Sequence, residues 1–210
     1  PPPPPPPPPP LFFLMILRPP RSTQWVSSAA SDVYKRQIEK LSKKESEYSE
    51  EISKRLSYVL SSPGKQLRPV ITLICSKLFG KFDKENSLRM ATAVELLHIA
   101  TLIHDDTVDK ADVRRGKATA SNLWGNNIAV LLGDYVFATS AIFVCDTGNI
   151  LLVKRFAETI VELSKGELFE NIESNNFTDS RRWWKNSYIS FIFFNQKQFS
   201  TSWISNKISW

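Results

Sequence analysis

The chain has 210 residues, of which 42% are hydrophobic, and this length and composition are typical of one globular domain with a proper core. Its net charge of +6 is unevenly spread: residues 1–37 carry +3, residues 181–210 carry +5, and residues 38–180 carry −2. Because the basic charge lies in the terminal segments, it gives no reason to expect nucleic-acid binding.

Residues 1–37 differ in composition from the rest of the chain. A proline run at residues 1–10 and an apolar stretch at residues 11–17 would, taken alone, suggest a polyproline ligand or a targeting segment. However, residues 27–37 (SSAASDVYKRQ) back-translate to a transposon-type sequencing-library adapter, and a run of C bases encodes proline. We therefore interpret residues 1–37 as a translated adapter without structure, and we expect the natural N-terminus to lie outside this sequence.

Helical periodicity dominates the central part of the chain. Apolar residues recur at helical spacing from residue 38 to 60, where a Ser-Ser-Pro-Gly cluster ends the pattern. Further helices are predicted at residues 69–79, 88–109, 128–145 and 151–173. Asn86 or Ser87 is the predicted N-cap of the 88–109 helix, and Gly80 the stop of the helix before it. No strand alternation or hairpin dipeptide appears, so the predicted class is all-α, with antiparallel helices on short connections.

Apolar runs and cysteines limit where the protein can reside. No apolar run reaches the roughly twenty residues that a membrane-spanning helix needs, so a soluble or membrane-peripheral protein is expected. Cys75 and Cys145 lie in apolar helical contexts without metal-ligand spacing, which favours buried thiols over a disulfide. We expect an intracellular protein, and a mitochondrial or plastid location stays open.

Three carboxylates, Asp105, Asp106 and Asp109, lie close together near the end of the 88–109 helix. Asp105 and Asp109 are four residues apart, so both project from one face of the helix. Like charges at this spacing destabilise a bare helix, and Mg²⁺ would offset that cost because it binds carboxylate and phosphate oxygens. The alternative is an ordinary acidic surface, which is the simpler interpretation of an isolated motif of this kind.

Potential phosphate ligands precede and follow the acidic motif: Lys65, Arg68, His98, Arg114 and Arg115. The two adjacent arginines are permanently charged forks that suit phosphate oxygens. Lys65 and Arg68 lie at a predicted helix start, where free backbone N–H groups also favour anions. His98 precedes Asp105 by two helical turns on one face. This context favours a metal-diphosphate site over an acidic surface.

Five linked motifs resemble, in order and spacing, the first half of the polyprenyl synthetase family. They are GKQLRP (64–69), ELLH (95–98), LIHDDTVD (102–109), ADVRRG (111–116) and LGD (132–134). The resemblance covers residues 38–188 and is nearest to the long-chain solanesyl and decaprenyl diphosphate synthases. It implies an isoprenoid-synthase-type helical bundle, truncated here, that condenses isopentenyl diphosphate with an allylic diphosphate.

The resemblance also implies a role for each site residue. Asp105, Asp106 and Asp109 form the first aspartate-rich motif, in which Asp105 and Asp109 coordinate the Mg²⁺ held by the allylic diphosphate. Arg114 binds that same diphosphate. The ligands of the isopentenyl diphosphate are Lys65, Arg68, His98 and Arg115. Arg114 and the metals stabilise the departing diphosphate, so that the isopentenyl double bond attacks an allylic cation.

Product length is expected to depend on the two residues one turn before Asp105. Ala100 and Thr101 are small, whereas short-chain members of the family carry aromatic residues there. A growing chain that runs along this helix would therefore meet a deeper channel, and we predict a long product. The alternative is that Ala100 permits close helix packing.

The chain departs from the family pattern after Tyr188. No second aspartate-rich motif follows, and residues 189–210 combine aromatic and polar residues without acids or helical period. We interpret residues 189–210 as a frameshifted or intron-derived tail, with an aggregation-prone strand pair as the alternative. The chain alone is expected to be inactive, since half of the metal cage is absent.

Other functions and assemblies stay open at this stage. The chain could be a non-catalytic subunit of a heteromeric synthase, although such a subunit should have a decayed first motif. A terpene cyclase-like enzyme also uses aspartate-rich helices, but the second set of cations favours chain elongation. A homodimer or heteromer is expected from the resemblance, and association with a membrane surface is an open expectation.

Overall fold

A computed structural model describes residues 49–61, 67–79 and 83–173, which are almost entirely helical. In chain order the elements are α1 (Glu50–Leu60), α2 (Leu67–Phe79), α3 (Lys84–Val108), β1 (Val113–Arg114), β2 (Lys117–Ala118), α4 (Ala120–Trp124), α5 (Asn126–Cys145) and α6 (Ile150–Glu173). The predicted all-α class is confirmed. The predicted adapter (1–37) and tail (189–210) lie outside the described residues.

Helix α3 is the central element of the fold. It packs most extensively against α5, while α2 covers another side of it. One core cluster joins α1, α3 and α5 through Leu56, Leu96 and Val136. A second joins α3, α5 and α6 through Val94 and Phe156. Helix α3 is buried over most of its length, and in its last turn Asp106 is buried while Val108 is exposed.

The start of α3 differs from the sequence-based prediction. The helix begins at Lys84, and its N-cap is Asp83 rather than Asn86 or Ser87. One Asp83 carboxylate oxygen accepts hydrogen bonds from the backbone N–H groups of Glu85 (3.0 Å) and Asn86 (3.2 Å). An aspartate in extended conformation satisfies these free donors as well as asparagine or serine does, so the helix can begin after Asp83.

A small antiparallel hairpin connects α3 to α4, although no strand was predicted. Val113 pairs with Ala118, and Arg114 pairs with Lys117. The turn residues Arg115 and Gly116 have φ angles of +51° and +77°. Two left-handed residues characterise the tight turn whose twist matches that of the strands. Arg-Gly is not among the dipeptides that signal this turn, which is why sequence patterns did not reveal it.

Helix α5 corrects two expectations. Within the described residues, α5 is the one helix that is both long enough and apolar enough to span a membrane, judged by its 20 residues and mean hydropathy of 2.0. The sequence-based prediction was that no apolar run has this length. Its buried face, including Ala129 and Leu132, belongs to the core shared with α3, and the core helix of a soluble protein can have this composition too. Cys145 at its end is exposed rather than buried as predicted, whereas Cys75 is buried.

Candidate active site

The acidic motif lies where α3 ends. Asp105 and Asp106 belong to the last turn, and Asp109 is the C-cap residue, whose N–H donates to the Asp105 carbonyl (2.8 Å). Asp105 is half-buried and Asp109 is exposed. Burial raises the pKa of Asp105, the charge of Arg114 lowers it, and Asp109 and Asp106 raise it further. The net effect is a raised pKa, because burial disfavours the charged form of Asp105.

Within the part of the chain that the structure describes, Asp106 is the carboxylate of the motif that forms an ion pair. Its Oδ1 accepts a hydrogen bond from Arg114 Nε at 2.6 Å, and only 11% of the Asp106 side chain is exposed. Arg114 comes from the hairpin, so this ion pair ties the hairpin to the end of α3. Asp106 thus orients an arginine, and Asp105 and Asp109 are the carboxylates of the motif that remain for a cation.

The fit of this pair to a metal ion can be judged from its chemistry. The described residues contain no group of three or more His, Cys, Asp or Glu side chains that could hold a metal ion. Mg²⁺ does not need such a cage, since it is commonly bound through one or two carboxylates, substrate phosphates and water. Asp105 and Asp109 therefore fit Mg²⁺ that binds together with a diphosphate.

A second group of charges surrounds the middle of α3. The charges of Arg68, in the first turn of α2, and of Arg115, in the hairpin turn, both lower the pKa values of Glu95 and His98. The structure therefore brings Arg68, Arg115 and His98 to one region, as the resemblance implied. Lys65, the fourth predicted ligand of the isopentenyl diphosphate, lies outside the described residues.

His98 is a neutral donor at neutral pH. Burial lowers its pKa most, and together with the charges of Arg68, Arg115 and Arg114 it brings the pKa to about 3. A neutral imidazole has one N–H, which can donate to a phosphate oxygen. The positive charge around His98 therefore comes from the arginines, and the imidazole is a neutral hydrogen-bonding group.

Sequence reasoning did not single out Glu95 or Tyr58. Glu95 is buried, and its Oε2 has no hydrogen-bond partner among the described residues. Its position in the ELLH motif, three residues before His98, could have identified Glu95 as a candidate site residue. Tyr58 of α1 donates its hydroxyl to the Ala118 carbonyl (2.9 Å), and Lys117 Nζ lies 5.7 Å from its ring centroid. Because this contact spans sixty residues, no local pattern could have predicted it.

The two product-length candidates lie in different surroundings. Ala100 is fully buried in the core cluster that α3 shares with α1 and α5. Thr101 is half-buried, and its hydroxyl donates to the His98 carbonyl (2.9 Å). Thr101 precedes Asp105 by one turn and so shares its face of the helix. Of the two positions, Thr101 lies on the side of the acidic motif.

Comparisons with known proteins show that this chain is similar to prenyl diphosphate synthases. The heptaprenyl diphosphate synthase component 2 of Geobacillus stearothermophilus is 41% identical over 111 residues, which are 53% of this chain and 34% of that relative. A decaprenyl diphosphate synthase structure from Rhodobacter capsulatus has a TM-score of 0.71 and 28% identity over 85% of this chain and 56% of its own. A polyprenyl synthase from Caulobacter crescentus, complexed with calcium and isoprenyl diphosphate, matches at TM-score 0.68 and 25% identity over 86% of this chain and 56% of its own.

The chain thus spans about a third of the curated relative and just over half of the solved structures. A family model described as polyprenyl synthetase matches residues 49–193. This match covers the acidic end of α3 and the arginine hairpin together. The chain therefore belongs to the polyprenyl synthetase family.

Proposed function

We propose that this chain carries one half of the active site of a Mg²⁺-dependent prenyltransferase. The enzyme condenses isopentenyl diphosphate with an allylic diphosphate and builds a long-chain trans-polyprenyl diphosphate. The observation that carries the proposal is the Asp106–Arg114 ion pair, which leaves Asp105 and Asp109 for a cation beside an oriented arginine. The names of the relatives, which include heptaprenyl and octaprenyl diphosphate synthases, support a long product.

The described residues divide the reaction into two binding tasks. Asp105 and Asp109 would hold Mg²⁺ together with the allylic diphosphate, and the metal would supply positive charge to the leaving group. Arg114 donates to the same leaving diphosphate and stabilises the charge that develops there. Arg68, Arg115 and the N–H of His98 bind the second diphosphate, which brings the isopentenyl double bond to the allylic carbon.

Turnover tests this proposal in a chimera. Residues 49–173 would replace the matching segment of the Rhodobacter capsulatus decaprenyl diphosphate synthase, and extension of an allylic diphosphate by labelled isopentenyl diphosphate would be measured with Mg²⁺. We expect extension by the chimera and its loss after Asp105→Ala. Extension that survives Asp105→Ala, or a well-folded chimera without extension, would contradict the proposal.

We further propose that the chain assembles with a second copy through the outer surfaces of α5 and α6. Val130, Leu131 and Ile142 of α5 are 41%, 63% and 59% exposed, and Val161 and Leu168 of α6 are at least half exposed. Exposed apolar surfaces mark sites of interaction with other proteins. A heteromer is the alternative, because one relative is named as a component of its synthase.

Light scattering of the purified chain tests this assembly. We expect a dimer mass, and a monomer mass after Leu131→Glu. Leu123→Glu on α4, another exposed leucine, is the matched control and should leave the dimer intact. A monomer mass for the unmodified chain would contradict the proposal.

A further inference from the structure

Gly133 lies in the interior of α5, against the last turn of α3. A Cβ atom at this position would overlap His104 Nε2, and would lie 2.5 Å from Cδ2 and 3.1 Å from Cε1 of the same ring. Gly133 is not in the left-handed region, so its backbone does not require glycine. A glycine within a helix costs about 1 kcal/mol relative to alanine. The space that it leaves for the His104 ring is the feature that offsets this cost.

The polar contacts of His104 are also made with α5. Nε2 lies 3.3 Å from Asp134 Oδ1 and 3.4 Å from the Val130 carbonyl oxygen. The side chains of His104 and Asp134 are 35% and 64% exposed, so their ion pair contributes little to stability. The main constraint on the ring is therefore its fit against Gly133.

His104 immediately precedes Asp105 in the chain. Fixing the His104 ring on α5 fixes the rotation of the last turn of α3 about its axis, and with it the direction of the Asp105 carboxylate. We propose that Gly133 and His104 are positioning residues that align Asp105 for Mg²⁺-diphosphate. This inference rests on the proposed function, because it assigns to Asp105 a metal-binding role.

Two binding measurements on the 210-residue chain separate positioning from general folding. The first is calorimetric binding of geranyl diphosphate with Mg²⁺, which depends on Asp105. The second is binding of inorganic diphosphate in EDTA, which depends on the phosphate ligands and not on the metal-binding carboxylates. For Gly133→Ala we expect the first affinity to fall by ~10–100-fold, a usual loss when a residue that orients a metal ligand is changed. The second should stay the same.

Removing the ring provides a matched test. His104→Ala should weaken Mg²⁺-dependent binding as Gly133→Ala does, and the double variant should be no weaker than His104→Ala, because no ring remains to be displaced. The inference is overturned if His104→Ala binds like the unmodified chain. It is also overturned if Gly133→Ala causes the same further loss in the His104→Ala background, or if both measurements weaken equally.

The same experiment distinguishes this inference from the proposed function. Absence of Mg²⁺-dependent binding by the unmodified chain would contradict the proposed function and the inference together. Binding by the unmodified chain that the Gly133 and His104 variants leave unchanged would contradict the inference alone.

Discussion

Arg114 of the hairpin and Asp106 of α3 form an ion pair, with 2.6 Å between Nε and Oδ1. The two residues are eight positions apart in sequence and belong to different motifs. The pair assigns different tasks to the carboxylates of the acidic motif, because Asp106 orients the arginine while Asp105 and Asp109 remain for a cation.

Replacing Asp106 with alanine should therefore weaken binding through Arg114. The Arg114 side chain is 37% exposed, so it keeps partial solvation when its partner is lost. We expect a loss of ~1–3 kcal/mol in the free energy of unfolding, measured by urea denaturation, together with weaker binding of inorganic diphosphate. Glu85→Ala, which removes an exposed partner of Arg89, is the matched control. An equal loss in both variants would contradict the special role of the Asp106 pair.

Tyr58→Phe tests how the hairpin is held on α1. The change removes the hydroxyl that donates to the Ala118 carbonyl and keeps the ring beside Trp124. We expect the free energy of unfolding to fall by about 0.5–1.5 kcal/mol, the usual contribution of one such hydrogen bond, and inorganic diphosphate to bind more weakly. Ser61→Ala removes a hydroxyl that bonds within the end of α1, and it should leave binding unchanged. Unchanged binding after Tyr58→Phe would show that the hairpin does not need this contact.

His98 should make stability depend on pH. Its folded pKa of about 3 lies below its ordinary value of 6.5, so the unfolded chain binds the proton more readily between these values. Stability should therefore fall by ~1.4 kcal/mol per pH unit as pH decreases through that window. The raised pKa values of Glu95 and Asp105 act in the opposite direction above their ordinary values.

The difference between the unmodified chain and His98→Gln isolates this contribution. Urea denaturation at pH 7 and pH 5 should show a smaller loss of stability on acidification in the variant. Equal losses in both proteins would contradict the lowered pKa of His98.

Product length is better tested at Thr101 than at Ala100. A phenylalanine at Ala100 would overpack the core between α3 and α5, at a cost of about 1–3 kcal/mol. Thr101 is half-buried on the side of Asp105, so Thr101→Phe should fold. In the chimera described above we expect shorter products from Thr101→Phe. An unchanged product distribution would contradict the channel along this face.

Local patterns predicted the helices well and their contacts poorly. The helix predicted at residues 88–109 matches α3, which runs from Lys84 to Val108. The prediction succeeded because the spacing of apolar residues along a helix is a local feature of the sequence. The aspartates and arginines were identified by motif spacing for the same reason. The hairpin was missed because its turn uses Arg115 in a left-handed conformation that arginine rarely adopts.

Contacts between distant elements could not be predicted from sequence. The packing of the His104 ring against Gly133 and the hydrogen bond from Tyr58 to the Ala118 carbonyl depend on how the helices pack. The distinction between Ala100 and Thr101 has the same origin, because adjacent residues of one helix point about 100° apart. Spacing alone placed both residues before Asp105, and only the packing of α3 shows which one faces the core.

Binding of geranyl diphosphate to the 210-residue chain, with and without Mg²⁺, is the most direct test of the central claim. Calorimetry should show binding that Mg²⁺ strengthens, and Asp109→Asn should remove that increase. Asp146→Asn is the matched control, since Asp146 is an exposed C-cap residue of α5 as Asp109 is of α3. Binding that does not respond to Mg²⁺, or a response that Asp109→Asn leaves intact, would contradict a metal-diphosphate site at the end of α3.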